Sequence, residues 1–347
     1  MQNDVMVSVF FITYNHKEFI KRALDGIVMQ KTNFKFEVVT YDDCSTDGTR
    51  EIVLEYIEKY PDLFVPILPD ENRAQKEGFH GINMDIYSKC QGKYMAFCEG
   101  DDYWTDENKL QIQVDYMEAH PDFSGCFHKS LRKDVLANKD LCYMPTSEQL
   151  FDKTEFDIYD VQKGYFIETV SSLYRWDIYK QELTDCFPEK IINSDSYLIN
   201  FFAIHGKIGY IDKLMSVKNI GNQGVWNSQK ENEDDRNVKF ANEIINFRIA
   251  INKLFERYNL NLRYGDTPSN ALKRIINSAL NKKRYDIIES VSRNFPDIVR
   301  ELLNNSKEES HLKGKLKKYK KLTNIFIVIS VIMLVIIAFL FLKEVIL

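Results

Sequence analysis

An α/β fold, with a mostly parallel sheet flanked by helices, is what this sequence predicts, on three observations. Apolar β-branched runs alternate with helical repeats over residues 5–119. The joints between them are short, and several of the runs end in a cluster of polar residues. Strand, loop and helix repeated in this way is the pattern of βα units stacked into one layer. At 347 residues, with 44% hydrophobic and 28% charged side chains, the chain can bury a large core without disulfide or metal staples.

Val5 to Ile12 is an apolar run fit for a buried parallel strand. After Thr13-Tyr14-Asn15-His16, residues Phe19, Ile20, Ala23, Leu24, Ile27 and Val28 recur at helical spacing. Phe36 to Tyr41 is a second strand, followed by the polar loop Asp42 to Gly48. Ile52, Val53, Tyr56, Ile57 and Tyr60 mark a helix that stops at Pro61. A third strand is expected at Phe64 to Leu68, a helix at Gly81 to Lys89, a fourth strand at Tyr94 to Cys98 and a helix at Leu110 to Ala119. Residues 130–190 have weak periodicity; Tyr165 to Tyr174 reads as a strand returning to the sheet. Tyr197 to His205 should be helical, with Asp195 in its capping region and Gly206 as its stop. Ile208 to Ile211 is a short strand.

Beyond Glu233 the character turns helical, with helices expected over 238–258, 268–280, 285–295 and 296–304. Lys313, Lys315, Lys317, Lys318, Lys320 and Lys321 then precede the apolar run Ile325 to Leu342, in which Ser330 is the only polar residue. Eighteen helical residues span about 27 Å, enough for a bilayer core. The lysines place the large N-terminal part on the cytoplasmic side. The expectation is a single-pass C-terminal anchor in contact with membrane lipid, with no secretory signal at the acidic start MQNDV. The domains read as catalytic 1–228, helical appendage 229–312, basic juxtamembrane stem 313–324 and transmembrane helix 325–342. Six cysteines without a CxxC pair suggest reduced thiols. A net charge of -5 argues against a nucleic-acid partner.

Ligands of open α/β sheets bind outside the carboxyl ends of the strands. Three polar clusters fall there: Thr13-Tyr14-Asn15, Asp42-Asp43, and Glu99-Gly100-Asp101-Asp102. Three carboxylates within four residues repel one another unless a cation joins them, and hard oxygen ligands suit Mg²⁺ or Mn²⁺. The alternative is a solvated acidic turn that caps the next helix.

Val7-Ser8-Val9 through Thr13-Tyr14-Asn15, FEVVTYDDCSTDGT at 36–49 and GKYMAFCEGDDYWTDENKLQIQVD at 92–115 together resemble the family 2 glycosyltransferases of the GT-A fold. The resemblance covers about residues 5–225, with three motifs in register. It implies a nucleotide-sugar donor, a UDP-sugar first among the candidates, and Mn²⁺ or Mg²⁺ as cofactor. Carried over by position, Thr13, Tyr14, Asn15, Asp42 or Asp43, Asn72, Asn83, Glu99 and Asp101 would line the donor site, and Asp101 and Asp102 would hold the metal. Asn72 and Asn83 read equally well as a loop amide and a helix-surface amide. Glu99 stands where relatives have a first Asp.

Inversion needs a base facing the leaving diphosphate. Asp195 matches the family's downstream acid, its plain alternative being a helix cap; Asp185 and Glu189 are weaker rivals. Relatives often carry a His in a Gly-rich loop that here reads Lys218 to Trp226 without one, so Lys218 or Asn222 would substitute, or the contact is missing. Trp104 reads as packing, with an acceptor-side role as the alternative, Trp226 as core or sugar-stacking, and the six histidines show no ligand spacing. The function implied is inverting transfer to a lipid-linked or polysaccharide acceptor at the membrane, with an oligomer left open. The alternative from another class is a non-catalytic membrane-anchored nucleotide- or glycan-binding adaptor. A dehydrogenase or P-loop enzyme is excluded, since neither GxGxxG nor GxxxxGK[ST] follows a strand.

Overall fold

The computed structural model describes residues 5–150, 152–163, 167–189, 194–221, 241–264, 274–279, 282 and 284–296. In chain order the first elements are β1 (Val5–Thr13), α1 (Ile20–Val28), β2 (Lys35–Asp42), α2 (Thr49–Lys59), β3 (Phe64–Ile67), α3 (Arg73–Glu77), α4 (Phe79–Lys89) and β4 (Tyr94–Glu99). Then come β5 (Tyr103–Trp104), α5 (Lys109–Ala119), β6 (Phe123–Asp134), β7 (Lys139–Met144), α6 (Ser147–Leu150), β8 (Glu155–Phe156) and α7 (Ile158–Val161). A 3₁₀ turn at Thr169–Ser171 leads to β9 (Leu173–Arg175), α8 (Lys180–Cys186), α9 (Ser194–His205), β10 (Lys207–Ile220), α10 (Ala241–Arg257) and α11 (Tyr285–Asn294).

The two-residue period of the pleat sorts the strand side chains into two layers. Val7, Val9 and Phe11 of β1, Val38 of β2, and Tyr94, Ala96 and Cys98 of β4 enter one hydrophobic layer; Phe10, Val39, Tyr41, Met95 and Phe97 enter the other. Strands apolar on both faces must be covered on both. Leu24 and Ile27 of α1, Val53 of α2 and Leu110 and Met117 of α5 close the first layer. Ile86 of α4, Leu183 of α8, Phe201 and Phe202 of α9 and Ile251 and Phe255 of α10 close the second.

Ten strands among the described residues form one sheet in the order β3-β2-β1-β4-β9-β6-β10-β5, with β7 paired to β6 and β8 to β10. β3, β2, β1 and β4 run parallel, as do β6 and β10. β9 lies antiparallel to both β4 and β6, and β5, β7 and β8 are antiparallel to their partners. The sheet is therefore mixed, correcting the mostly parallel expectation, because an apolar run reports burial and not direction.

Of the strand expected at Tyr165 to Tyr174, residues 165–166 lie outside the described residues, and of the rest only Leu173 and Tyr174 are strand, as part of β9. Before it, the Ser171 hydroxyl donates to the Glu168 carbonyl at 2.6 Å and Ser172 to Thr169 at 2.8 Å, local bonds that favour a turn. The strand expected at Ile208 to Ile211 extends over fourteen residues as β10, since β6 pairs with it along its length. The β6–β7 hairpin had no sequence signal: β7 is exposed except at Met144, so no apolar alternation marks it.

By packing, Met1–Glu233 with Glu243–Gly265 make one unit, and Asp234–Asn242 with Asp266–Leu347 a second. In the second, Ile275, Ile276 and Ala279 of a helical stretch and Ile288 and Val291 of α11 are buried. Among the described residues no helix is long and apolar enough to cross a membrane. The stem at 313–324 and the run at 325–342 lie outside the described residues, as do Asn222 and Trp226.

Lys109 is fully buried at the start of α5, its ammonium 2.7 Å from Gln113 Oε1 and 4.0 Å from the Trp104 ring centroid. Burial pushes it down to about 7. The unfolded chain, where the lysine keeps its ordinary value near 10.5, therefore holds a proton that the folded chain lacks between pH 7 and 10.5. In that window this group makes stability rise with pH. Buried Cys90, Cys98 and Cys126, all raised, oppose the rise above about pH 8.5. Denaturant titrations from pH 7 to 8.5 should show wild type gaining about 1.4 kcal/mol per pH unit relative to Lys109→Met. Parallel curves for the two proteins would mean that Lys109 stays charged in the fold.

Candidate donor and acid site

Strand register sets the acids in a row. Thr13 of β1 pairs with Asp42 of β2, and Ile12 pairs with Glu99 of β4. As the chains leave the sheet, the Asp43 amide donates to the Thr13 carbonyl at 3.0 Å and the Gly100 amide to that of Ile12 at 2.8 Å. Gly100 is required there, because a Cβ would stand 2.3 Å from Thr13 Oγ1 and 2.6 Å from its Cβ.

The first two loops are bound to each other. Asn15, at φ 53°, accepts the Thr46 amide on Oδ1 at 2.8 Å and donates its own amide to Ser45 Oγ at 2.9 Å. Tyr14 beside it is exposed, and Thr13 is buried. Asp42 is buried against Arg50, whose Nε donates to Oδ2 at 2.6 Å and whose Nη2 donates to the Asp42 and Pro69 carbonyls. Ser45 donates to Asp42 as well, so this carboxylate serves to hold the loop. Asp43 accepts the Arg73 amide on Oδ1 at 2.8 Å and the Ala74 amide on Oδ2 at 3.0 Å, tying β2 to the start of α3. Asn72 caps α3 by accepting the Gln75 amide at 2.7 Å, and its Nδ2 donates to the Asp43 carbonyl at 3.3 Å. Asn83 is buried on α4, and its Nδ2 has no hydrogen-bond partner among the described residues.

Glu99, Asp101 and Asp102 bring one carboxylate oxygen each to within 4.8 Å of one another. Pairing of β5 with β10 (Tyr103 to Val217, Trp104 to Ser216) sets Lys218 and Asn219 beside this loop. Lys218 Nζ lies 3.1 Å from Asp102 Oδ2 and 3.3 Å from Glu99 Oε2. The Asn219 amide donates to Asp102 Oδ1 at 2.8 Å and its Nδ2 to the Asp101 carbonyl at 2.5 Å. Asp102 is fully buried, and burial lifts its carboxyl well above the usual range despite Lys218. Glu99 is pushed up to about 7 by burial, with Lys218 pulling it down and Asp195 and Asp101 pushing it further up.

Asp195 is near enough in the fold for its charge to act on Glu99. It stands in the first turn of α9, half-buried, and accepts the Thr169 hydroxyl on Oδ2 at 2.7 Å. Asp185 lies at the end of α8 with Gln181 donating to it at 2.8 Å on an exposed face. Trp104 is core: it is 2% exposed and its Nε1 donates to the Val170 carbonyl at 3.2 Å. Arg50, Thr169 and Asn219 were not singled out from sequence. Arg50 had a weak signal, as the second residue of the helix after Asp42; Thr169 and Asn219 had none, since long-range pairing brings them in.

The sequence model described as glycosyl transferase family 2 matches residues 8–182, half of the chain. An uncharacterized protein of Mycobacterium tuberculosis is 37% identical over 224 residues, 64% of this chain and 61% of the relative. The chain thus spans less than two thirds of that relative's length. The UDP-Glc:alpha-D-GlcNAc-diphosphoundecaprenol beta-1,3-glucosyltransferase WfgD of Escherichia coli is 30% identical over 115 residues, 33% of this chain and 42% of the relative. Among solved structures, TarS of S. aureus in complex with UDP-GlcNAc superposes with a TM-score of 0.54 at 18% identity, covering 88% of this chain and 78% of that one. This likeness shows a shared GT-A-like fold. The family match runs from β1 into α8, through every strand whose end carries one of these acids, and so the chain belongs to glycosyl transferase family 2.

Proposed function

We propose that this protein is an inverting glycosyltransferase that moves a sugar from a nucleotide-diphosphate-sugar donor to an acceptor hydroxyl, with Asp195 as general base. The observation that carries the reading is the cluster of Glu99, Asp101 and Asp102 beside the strand ends, with Asp195 near enough for its charge to act on Glu99. A base on one side and a diphosphate-binding group on the other is what in-line displacement at an anomeric carbon requires. A UDP-sugar is the donor we favour, because TarS was solved with UDP-GlcNAc and the E. coli relative is named for UDP-Glc.

The cluster fits a hard divalent ion: it offers carboxylate oxygens only, close together, on a loop next to the strand ends. Asp101, half-buried, and Glu99, partly exposed, are the members open to solvent, while Asp102 is buried. Bound Mn²⁺ or Mg²⁺ would neutralise charge on the departing nucleoside diphosphate. Thr169 orients the Asp195 carboxylate through the 2.7 Å bond, leaving Oδ1 toward Ser194 at 3.5 Å. The turn that carries Thr169 is fixed in turn by the ion pair of Arg132 with buried Glu168.

Incubating the detergent-solubilised full chain with UDP-, GDP- and dTDP-sugars and Mn²⁺ tests this reading. Release of nucleoside diphosphate from a UDP-sugar is expected. A chain that binds UDP yet hydrolyses and transfers from no donor would instead be the adaptor. The basic stem and the apolar run support a C-terminal anchor, a cytoplasmic catalytic part and a lipid-linked or polysaccharide acceptor. Deleting 323–347 should move the protein from the membrane to the soluble fraction; continued sedimentation with membranes would remove the anchor.

A further inference from the structure

Lys218 sits where a resident cation would sit. Its ammonium is within 3.3 Å of two of the three clustered carboxylates, and the side chain is 22% exposed, so it is not sealed from solvent. A strut between β10 and the acidic loop does not need it there: Asn219 already makes that connection twice, to Asp102 Oδ1 and to the Asp101 carbonyl. Lys218 adds a positive charge shared between Glu99 and Asp102. Oxygen ligands hold a divalent ion at about 2.0–2.6 Å, so an ion on the same oxygens would meet the ammonium at close range and be repelled. Three carboxylates with one lysine carry two net negative charges when all are ionised, where the acids alone would carry three.

We infer that Lys218 is a positioning residue that acts as a built-in counter-cation, occupying Glu99 and Asp102 so that a divalent ion is captured together with a nucleotide diphosphate and only weakly without it. The inference rests on the reading that this cluster takes a metal. The diphosphate brings the extra oxygens and negative charge that the lysine withholds, so metal and nucleotide bind as a coupled pair. By linkage the coupling is reciprocal: whatever factor UDP adds to Mn²⁺ affinity, Mn²⁺ adds to UDP affinity.

The test is Mn²⁺ binding to the full-length chain, followed by the electron paramagnetic resonance of free Mn²⁺, with and without UDP. Wild type should bind Mn²⁺ weakly alone and at least ~10-fold more tightly with UDP, within the usual range of coupling. Lys218→Gln keeps a hydrogen-bond donor and removes the charge. It should bind Mn²⁺ alone about 10-fold more tightly than wild type, with the UDP effect reduced by a similar factor. Lys218→Arg keeps the charge and should stay at the wild-type value. Unchanged or weaker Mn²⁺ affinity in folded Lys218→Gln overturns the inference, because a mere strut would give that result. Should Lys218→Gln fail to fold, Lys218→Arg decides, since tighter Mn²⁺ binding there is equally fatal. Wild type that binds UDP but no Mn²⁺ under any condition removes the metal reading itself, a separate failure.

Discussion

An Asp195→Asn enzyme is expected to transfer sugar at least ~100-fold more slowly than wild type, the scale of a lost general base, while binding UDP with unchanged affinity. Asparagine matches aspartate in size and can still accept from Thr169 Oγ1, so the first turn of α9 should keep its place. What disappears is the ability to take a proton from the attacking hydroxyl. The same change removes a negative charge that raises Glu99, so the Glu99 carboxyl should titrate below about 7 in the variant. Measuring kcat, UDP affinity and the Glu99 titration together separates a base from a helix-end residue. Wild-type turnover with a shifted Glu99 would keep the geometry and reassign the base.

Asp101→Ala should abolish the stimulation of nucleotide binding by Mn²⁺. Loss of outer-shell partners alone costs metal sites about 10–100-fold, and a direct ligand should cost at least as much. UDP affinity in Mn²⁺ should fall to the value that wild type shows in a chelator, and the chelator value should not move. Asp101 is the better probe than Asp102, because Asp102 is fully buried between Lys218 and Asn219 and its loss would also loosen β10 from the acidic loop. Retained Mn²⁺ stimulation in Asp101→Ala would take this residue out of the metal site.

Much of the donor half was legible because its contacts are local or periodic. The alternation that placed β1, β2 and β4 is written in consecutive residues, and the polar clusters at 13–15, 42–43 and 99–102 follow those strands directly. Individual roles were less legible. Asp42 and Asp43 look equivalent in sequence, yet Asp42 is closed off by Arg50 and Ser45 while Asp43 receives the first amides of α3. Which neighbour meets which partner depends on strand pleat and on loops that fold back from eight and thirty residues away. Residues 130–190 gave little to read for a related reason. A hairpin with an exposed strand, a 3₁₀ turn and a three-residue antiparallel strand carry almost no periodic signal.

Residue order by itself determined the layers of this protein and the strand ends that carry acids, since hydrophobic period and short-range spacing need no partner to be read; Asp195 was reached only through the family resemblance. Only the tertiary structure decided the mixed direction of the sheet, the full length of β10, and the meeting of Lys218 and Asn219 with an acidic loop more than a hundred residues earlier. Those depend on pairing energies between distant strands, which one-residue shifts of register would redirect and which leave no mark in local composition.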